Sequence, residues 1–352
     1  LVSQEKLKGH YMETLSRLPY DMLIVDEIHK LKNITSGTRS KNLLRLAEHI
    51  QGDNQYLALL SGTPAPNKIA DIAIILKLLY PETFGEINTR TLVRNIMQGN
   101  INVRDLLIPR MQMKELANSI EMPRLIGRNI EYTLSTIERD IYETLLEEDE
   151  LTATQKLHVL QKFLLNPELI DTTPGIQSSK IKAVSSALHE TFKNKDKVIM
   201  FVNRYAKGIT RENWSIVPKL NLPADIEIRT IDGPIKQKNR ERIQKELRES
   251  KEKILLLVNG QTADVGVDFS AADSVFFYNE PWTKYEFKQQ LGRAYRPGRN
   301  GDLEYFTFRG KETVEEGIFL HVEAKYRAIE KLLRDIPRSK LEQDLLLEEE
   351  KQ

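Results

Sequence analysis

Gln289, Arg293 and Arg296 stand four and three residues apart in the stretch Gln289-Gln290-Leu291-Gly292-Arg293-Ala294-Tyr295-Arg296-Pro297-Gly298-Arg299. A helix from Phe287 to Arg296 would carry them on one face, an amide beside two guanidinium groups, with Pro297 as its stop. Arginines held in a row on a rigid element keep their charge and suit a phosphate on which negative charge is growing. A second group of the right chemistry is Asp26-Glu27, directly after the apolar run Met22-Leu23-Ile24-Val25. Ligands of open α/β sheets bind at the carboxyl ends of the strands. Asp26 is therefore placed to hold a magnesium ion and Glu27 to orient or deprotonate a water.

The elements that must position these residues read as two α/β blocks. In the first, Met22–Val25 is followed by helical spacing over residues 40–50. A second strand from Tyr56 to Leu60 then ends in Ser61-Gly62-Thr63-Pro64, which makes a βαβ unit. The hydroxyls and backbone N–H groups of that turn, ahead of a helix from Ile69 to Tyr80, can bind phosphate oxygens. From Pro81 to about Asp171 helical periodicity dominates, as in Ile137, Ile141 and Leu145. This reads as a helical insertion, with hinges near 148–152 and 171–179. In the second block five strands alternate with helices: Val198–Val202, Ile226–Ile231, Ile254–Val258, Val275–Tyr278 and Leu303–Phe308. The fold class is α/β, with parallel sheets in a partial first lobe and a complete second lobe. The boundaries are 1–115, 116–178 for the insertion and connection, 179–335 for the second lobe, and 336–352 for a charged tail.

Composition narrows the function classes. Lys+Arg 52 against Asp+Glu 51 gives a net charge of +1, so nucleic-acid binding must come from local patches. The absence of cysteine excludes disulfides, thiolate catalysis and cysteine zinc sites, and the six histidines show no metal-ligand spacing. No apolar run approaches the ~20 residues of a membrane span and no secretory signal opens the chain, so no membrane is expected and an intracellular location is the default. Leu1 in place of a methionine reads as a processed or excised piece.

Asp26-Glu27-Ile28-His29, Ser61-Gly62-Thr63-Pro64, the strand ending at Asn203, Gly266-Val267-Asp268 and Gln289 to Arg299 resemble, in order, motifs II to VI of helicase superfamily two. Within it the chain is most similar to the Swi/Snf-type ATPases, through His29-Lys30-Leu31-Lys32-Asn33, Asn67 and Trp282. The resemblance runs from about Asp21 to Phe308 and implies RecA-like lobes and the cofactors ATP and Mg2+. Asp26 would hold the metal and Glu27 the attacking water. Arg293 and Arg296 would be arginine fingers with Gln289 beside them. His29, Gly266 and Asp268 would couple nucleotide state to lobe closure. Ser61, Gly62, Thr63, Asn203, Arg204, Asn259, Gly260 and Trp282 would line the path of a double-stranded DNA backbone, bound without base recognition.

The departures are specific. A phosphate-binding loop needs a glycine, four residues, then Gly-Lys and a hydroxyl. None of the 17 glycines is followed five positions later by another, and the only Gly-Lys pair, Gly310-Lys311, precedes Glu312. Asn259-Gly260 replaces the more usual Ser-Thr pair, and Arg299 stands where this branch commonly has glutamine. The expectation is a DNA-stimulated ATP hydrolase, remodeller-like, that translocates on double-stranded DNA. This chain would be inactive without the N-terminal half of the ATPase, and a protein partner is possible. The alternatives are a strand-separating DNA or RNA helicase and a non-enzymatic DNA-binding scaffold on a degenerate helicase fold.

Overall fold

The computed structural model describes residues 6–7, 10–28, 38–48, 50, 56–61, 69–107, 122–170, 175–203, 216–231, 237–260 and 267–333. The chain divides into two compact units, residues 1–110 with 324–352 and residues 111–323.

The first unit holds two parallel strands, β1 (Met22–Val25) and β2 (Tyr56–Leu59), paired in register from Met22 with Tyr56 to Val25 with Leu59. Helices α1 (His10–Arg17) and α2 (Thr38–Glu48) contribute Met12, Leu43, Leu46 and Ala47 to a core shared with Val25 and Ile28. A second cluster joins α3 (Ile69–Leu79) to α4 (Thr89–Met97) through Ile72, Leu76, Leu92 and Ile96. A short unbroken apolar run such as Met22–Val25 leads one to expect a strand buried on both faces, but one face of β1 is open. Met22 and Ile24 are 51% and 57% exposed, and Tyr56, the partner of Met22, is 63% exposed.

The second unit is built on a six-stranded parallel sheet. Its strands are β3 (Leu125–Tyr132), β4 (Lys197–Val202), β5 (Ile226–Ile231), β6 (Lys253–Asn259), β7 (Ser274–Phe277) and β8 (Leu303–Gly310). Their order across the sheet is β3-β8-β7-β4-β6-β5. Strands β4, β6 and β7 are apolar from their second residue through Val202, Val258 and Phe277 because both faces are covered. On one side Val198, Met200, Leu255, Leu257 and Phe276 pack on Ile181, Val184 and Leu188 of α7 (Ser179–Thr191). On the other, Ile199, Phe201, Leu256, Val258 and Phe277 meet Ile243 and Leu247 of α8 (Gln237–Glu249) and Leu291 and Ala294 of α9 (Lys284–Ala294).

Strand β3 is a sixth strand where sequence periodicity gave only helices. It closes the sheet edge against β8, from Leu125 with Leu303 to Tyr132 with Gly310. As an edge strand it carries charge, and Arg128 Nη2 pairs with Glu304 at 2.7 Å. Two helices follow it. α5 (Thr136–Glu147) and α6 (Ala153–Leu165) each start in a capping box, Ser135 with Glu138 and Thr152 with Gln155. Their apolar faces meet through Tyr142, Leu160 and Phe163. Helix α10 (Val314–Leu333) begins in this unit, and from Ala324 it belongs to the first, where Ile329 joins the cluster of Ile72 and Leu76.

Candidate nucleotide and nucleic-acid site

In the first unit the carboxylate turn is set by backbone pairing that continues past the strands. Leu60 N donates to Val25 O at 2.8 Å and Ile28 N to Leu60 O at 3.0 Å, which keeps Asp26 and Glu27 at the carboxyl ends of β1 and β2, next to Ser61. Asp26 Oδ1 accepts the Glu27 N–H at 2.9 Å. Glu27 has φ of 52°, the left-handed region that a non-glycine residue occupies at a cost of about 1–3 kcal/mol. Burial of Ile28 and its bond to Leu60 hold that conformation in place. His29, Gly62 and Thr63 lie outside the described residues, as do Arg204 and Gly266 of the second unit.

In the second unit Gln289 and Arg293 lie four apart on α9 and are half-buried. The helix stops at Ala294 rather than at Arg296. Pro297 disfavours helical backbone at the residue before it, and Tyr295 is already extended (φ −93°, ψ 92°). Arg296 therefore sits in the turn, and its Nε reaches back to Gly292 O at 3.2 Å. Asp268 is drawn to the same place. Phe269 N donates to Arg293 O at 2.9 Å, tying the Asp268 segment to the end of the arginine helix. Ser270 N donates to Asp268 Oδ1 at 3.0 Å, and Arg248 Nη1 lies 3.9 Å from Oδ2. Burial pushes the Asp268 carboxyl up, but the Ser270 bonds and the charges of Arg296 and Arg248 outweigh it and hold the pKa below the usual range.

Arg299, noted in the sequence only as standing where glutamine is common, has a structural role. It is 8% exposed, and its guanidinium donates to Gly301 O at 3.0 Å, Ser270 O at 3.1 Å, Asp302 O at 3.1 Å and Ala272 O. It thereby staples the loop after Asp268 to the turn after Arg296.

At the strand ends, Asn203 N donates to Asn279 Oδ1 at 2.9 Å and Asn203 Nδ2 to Asn279 O at 2.7 Å. Gln290 Nε2 donates to Asn203 Oδ1. Gly260 lies directly beneath this contact, and Asn259 precedes it at the end of β6. Trp282 is half-buried just before α9, whose N-cap Thr283 accepts the Glu286 N–H at 3.1 Å. Gln290 and Asn279 are residues that sequence reasoning missed. The i, i+4, i+7 face passes by Gln290, and the contact with Asn203 spans 87 positions.

Two parallel-sheet units, one ending a strand in adjacent carboxylates and the other presenting paired arginines beside a depressed aspartate, define a helicase-like α/β protein. The SNF2-related domain model matches residues 2–194 and the helicase conserved C-terminal domain matches residues 179–298. The chain belongs to the SNF2-related family. It is 23% identical to the uncharacterized ATP-dependent helicase YqhH of Bacillus subtilis, over 94% of this chain and 62% of that protein. With the ISWI chromatin-remodeling complex ATPase ISW2 of Saccharomyces cerevisiae it shares 22% identity over 93% of this chain and 31% of the relative. The chain thus spans less than two thirds of the length of these relatives. It is also similar in fold to the Sulfolobus solfataricus SWI2/SNF2 ATPase core in complex with dsDNA, at a TM-score of 0.47 and 20% identity, over 93% of this chain and 71% of that one. Among the described residues no helix is long and apolar enough to cross a membrane, and no cluster of three or more His, Asp or Glu could hold a metal.

Proposed function

We propose that this chain is the carboxylate and arginine portion of a DNA-stimulated ATPase that translocates on double-stranded DNA. The observation that carries the reading is the junction of Asp268 with Arg293 and Arg296, in which a backbone bond, a buried arginine staple and a depressed carboxyl hold the arginines at one end of a rigid helix. Arg293 and Arg296 stabilise charge on a terminal phosphate, Gln289 lies beside them, and Asp268 sets the position of Arg296. In the first unit Glu27 orients the attacking water from its strained turn, and Asp26 holds the metal. His29 and Gly266 complete the coupling of nucleotide state to lobe closure.

Taken unit by unit, Asp26 has the chemistry for the metal of a magnesium nucleotide, and Arg293 and Arg296 have the chemistry for its terminal phosphate. Magnesium is a hard cation that takes one or two carboxylates together with phosphate oxygens and water, so a lone Asp26 suffices. Bound there, magnesium ATP supplies the phosphoryl group that is transferred to water. The glycine spacing of a phosphate loop is missing from the sequence, so that cradle is assigned to the N-terminal half of the ATPase. The same missing spacing is what favours the second reading, a DNA-binding scaffold without turnover. For DNA, the residues assigned to the path of the backbone are Ser61, Gly62 and Thr63 of the first unit and Asn203, Arg204, Asn259, Gly260 and Trp282 of the second, some of them by contact and others by holding their neighbours in place. Such contacts are sequence-independent and weaken as salt rises.

The test is steady-state ATP hydrolysis and double-stranded DNA binding by the chain at low salt, alone and with the N-terminal half of a related ATPase supplied. The expected result is salt-sensitive DNA binding throughout and DNA-stimulated turnover only with the supplied half, lost on Glu27→Gln. Turnover by the chain alone would refute the assignment of the phosphate cradle. DNA binding with no turnover under any condition leaves the scaffold reading standing instead.

A further inference from the structure

The junction of Gln290, Asn203 and Gly260 is built more tightly than three separate contacts to a ligand would need. Gln290 follows Gln289 on the arginine helix, yet it points inward at 5% exposure, and Asn203 is 8% exposed at the end of β4. The Gln290 carboxamide donates to Asn203 Oδ1, while Asn203 grips Asn279 through both its backbone N–H and its side-chain Nδ2. Gly260 N, one residue past β6, donates to Val202 O at 3.0 Å, which brings its Cα under the bridge. A Cβ on Gly260 would lie 1.9 Å from Asn203 Oδ1 and 2.6 Å from Gln290 Nε2. The bridge thus exists only because residue 260 is bare. Among the described residues Gln290 Oε1 meets no hydrogen-bond donor. A half-satisfied buried amide adds little net stability, so an apolar residue of similar shape would serve the core as well.

We propose that Gln290 is a positioning residue: by bridging to Asn203 over the bare Cα of Gly260, it locks the arginine helix to the ends of β4, β6 and β7, so that the phosphate-facing arginines and the DNA-facing strand ends move as one body. Asn203 and Gly260 then serve DNA by holding their neighbours in place, not by touching the backbone themselves. The assignment rests on the proposed reading that these strand ends face DNA.

The experiment uses the full chain with Gln290→Leu, Gly260→Ala and the two together. Readouts are fluorescence anisotropy on a mixed-sequence double-stranded DNA at low salt, amide hydrogen exchange and thermal unfolding. Each single change should weaken DNA binding about three- to tenfold, the span of one hydrogen bond's net contribution. The double should be no weaker than the worse single, because both break the same bridge. In Gln290→Leu, which keeps its unfolding transition, exchange should quicken together at the amides of Asn203 and of Tyr295 at the end of the arginine helix. A merely structural glutamine would not move both. Additive losses, or faster exchange at one end only, overturn the proposal. Failure of the unsubstituted chain to bind DNA refutes the DNA reading instead, and the paired exchange at Asn203 and Tyr295 still decides the bridge.

Discussion

Replacing Arg299 with glutamine, the residue that the family resemblance leads one to expect there, should destabilise the second unit. The guanidinium reaches four carbonyl oxygens, of Ser270, Ala272, Gly301 and Asp302, in a site where the residue is 8% exposed. A carboxamide has two N–H donors, so at least two of those carbonyls lose their partner. Each buried acceptor left unpaired costs about 1–3 kcal/mol. Removing a charge whose desolvation Asp273 and Asp302 offset only in part returns some of that loss. The net expectation is about 3 kcal/mol. At roughly 2–4 °C per kcal/mol for a folding unit of about 150–250 residues, the midpoint should fall by about 6–12 °C. Circular dichroism melts of the two proteins measure it directly. A fall below about 2 °C would mean that water replaces the guanidinium without penalty, and the staple between the Asp268 loop and the arginine turn would have to be abandoned.

Two further outcomes follow from buried polar groups in the same unit. Lys180, its side chain fully buried, pairs with Glu315, which also accepts from Tyr132 Oη and Gly310 N, each at 2.9 Å. Glu315→Leu alone should cost about 3–5 kcal/mol by stranding the ammonium, and adding Lys180→Met should recover most of it; urea midpoints that fall equally in the single and the double would show the pair to be unimportant. Burial, reinforced by Glu315, raises the phenol pKa of Tyr132 and Tyr278 well above the usual value. The unfolded chain gives up these protons from about pH 10 while the folded one keeps them, so their contribution is complete below that pH and is lost as pH rises further. Tyrosinate absorbance from these two side chains should appear only together with loss of helical circular dichroism in an alkaline titration; full tyrosinate absorbance in a still-folded chain would contradict this.

The sequence was most readable where burial is complete. Strands β4, β6 and β7 lie between two helical layers, so their residues form unbroken apolar runs that stand out without any partner in view. Strand β3 was not readable because an edge strand alternates Ile126 and Ile130 with Arg128 and Asn129, a pattern that helices share. The arginine helix was found in kind but not in length. Its spacing ran through Arg296, while Pro297 had already forced the chain out of helix. Adjacent carboxylates after β1 were visible as a strand end, but the left-handed backbone of Glu27 was not, since nothing in its own side chain requires it. Asn203 was visible as a strand end too. That its side chain is engaged by Gln290 could not be read from a line of residues, because the partner is chosen by the order of strands across the sheet.

The edge pairing of β3 also has a consequence in time. It joins residues 178 positions apart, Arg124 N to Asp302 Oδ1 and Asn129 to Thr307. Every other strand of that sheet pairs over a shorter stretch. A ribosome making about 5–20 residues each second would release β3 roughly 10–35 s before β8 exists to receive it. During that interval the strand has its helices α5 and α6 but no sheet, and the charges of Arg128 and Glu131 keep its edge from pairing with other chains. The second unit is therefore sealed last at its outer edge, by the segment made just after the arginine helix, and a chain stopped before residue 303 would carry the arginines on a sheet that cannot close.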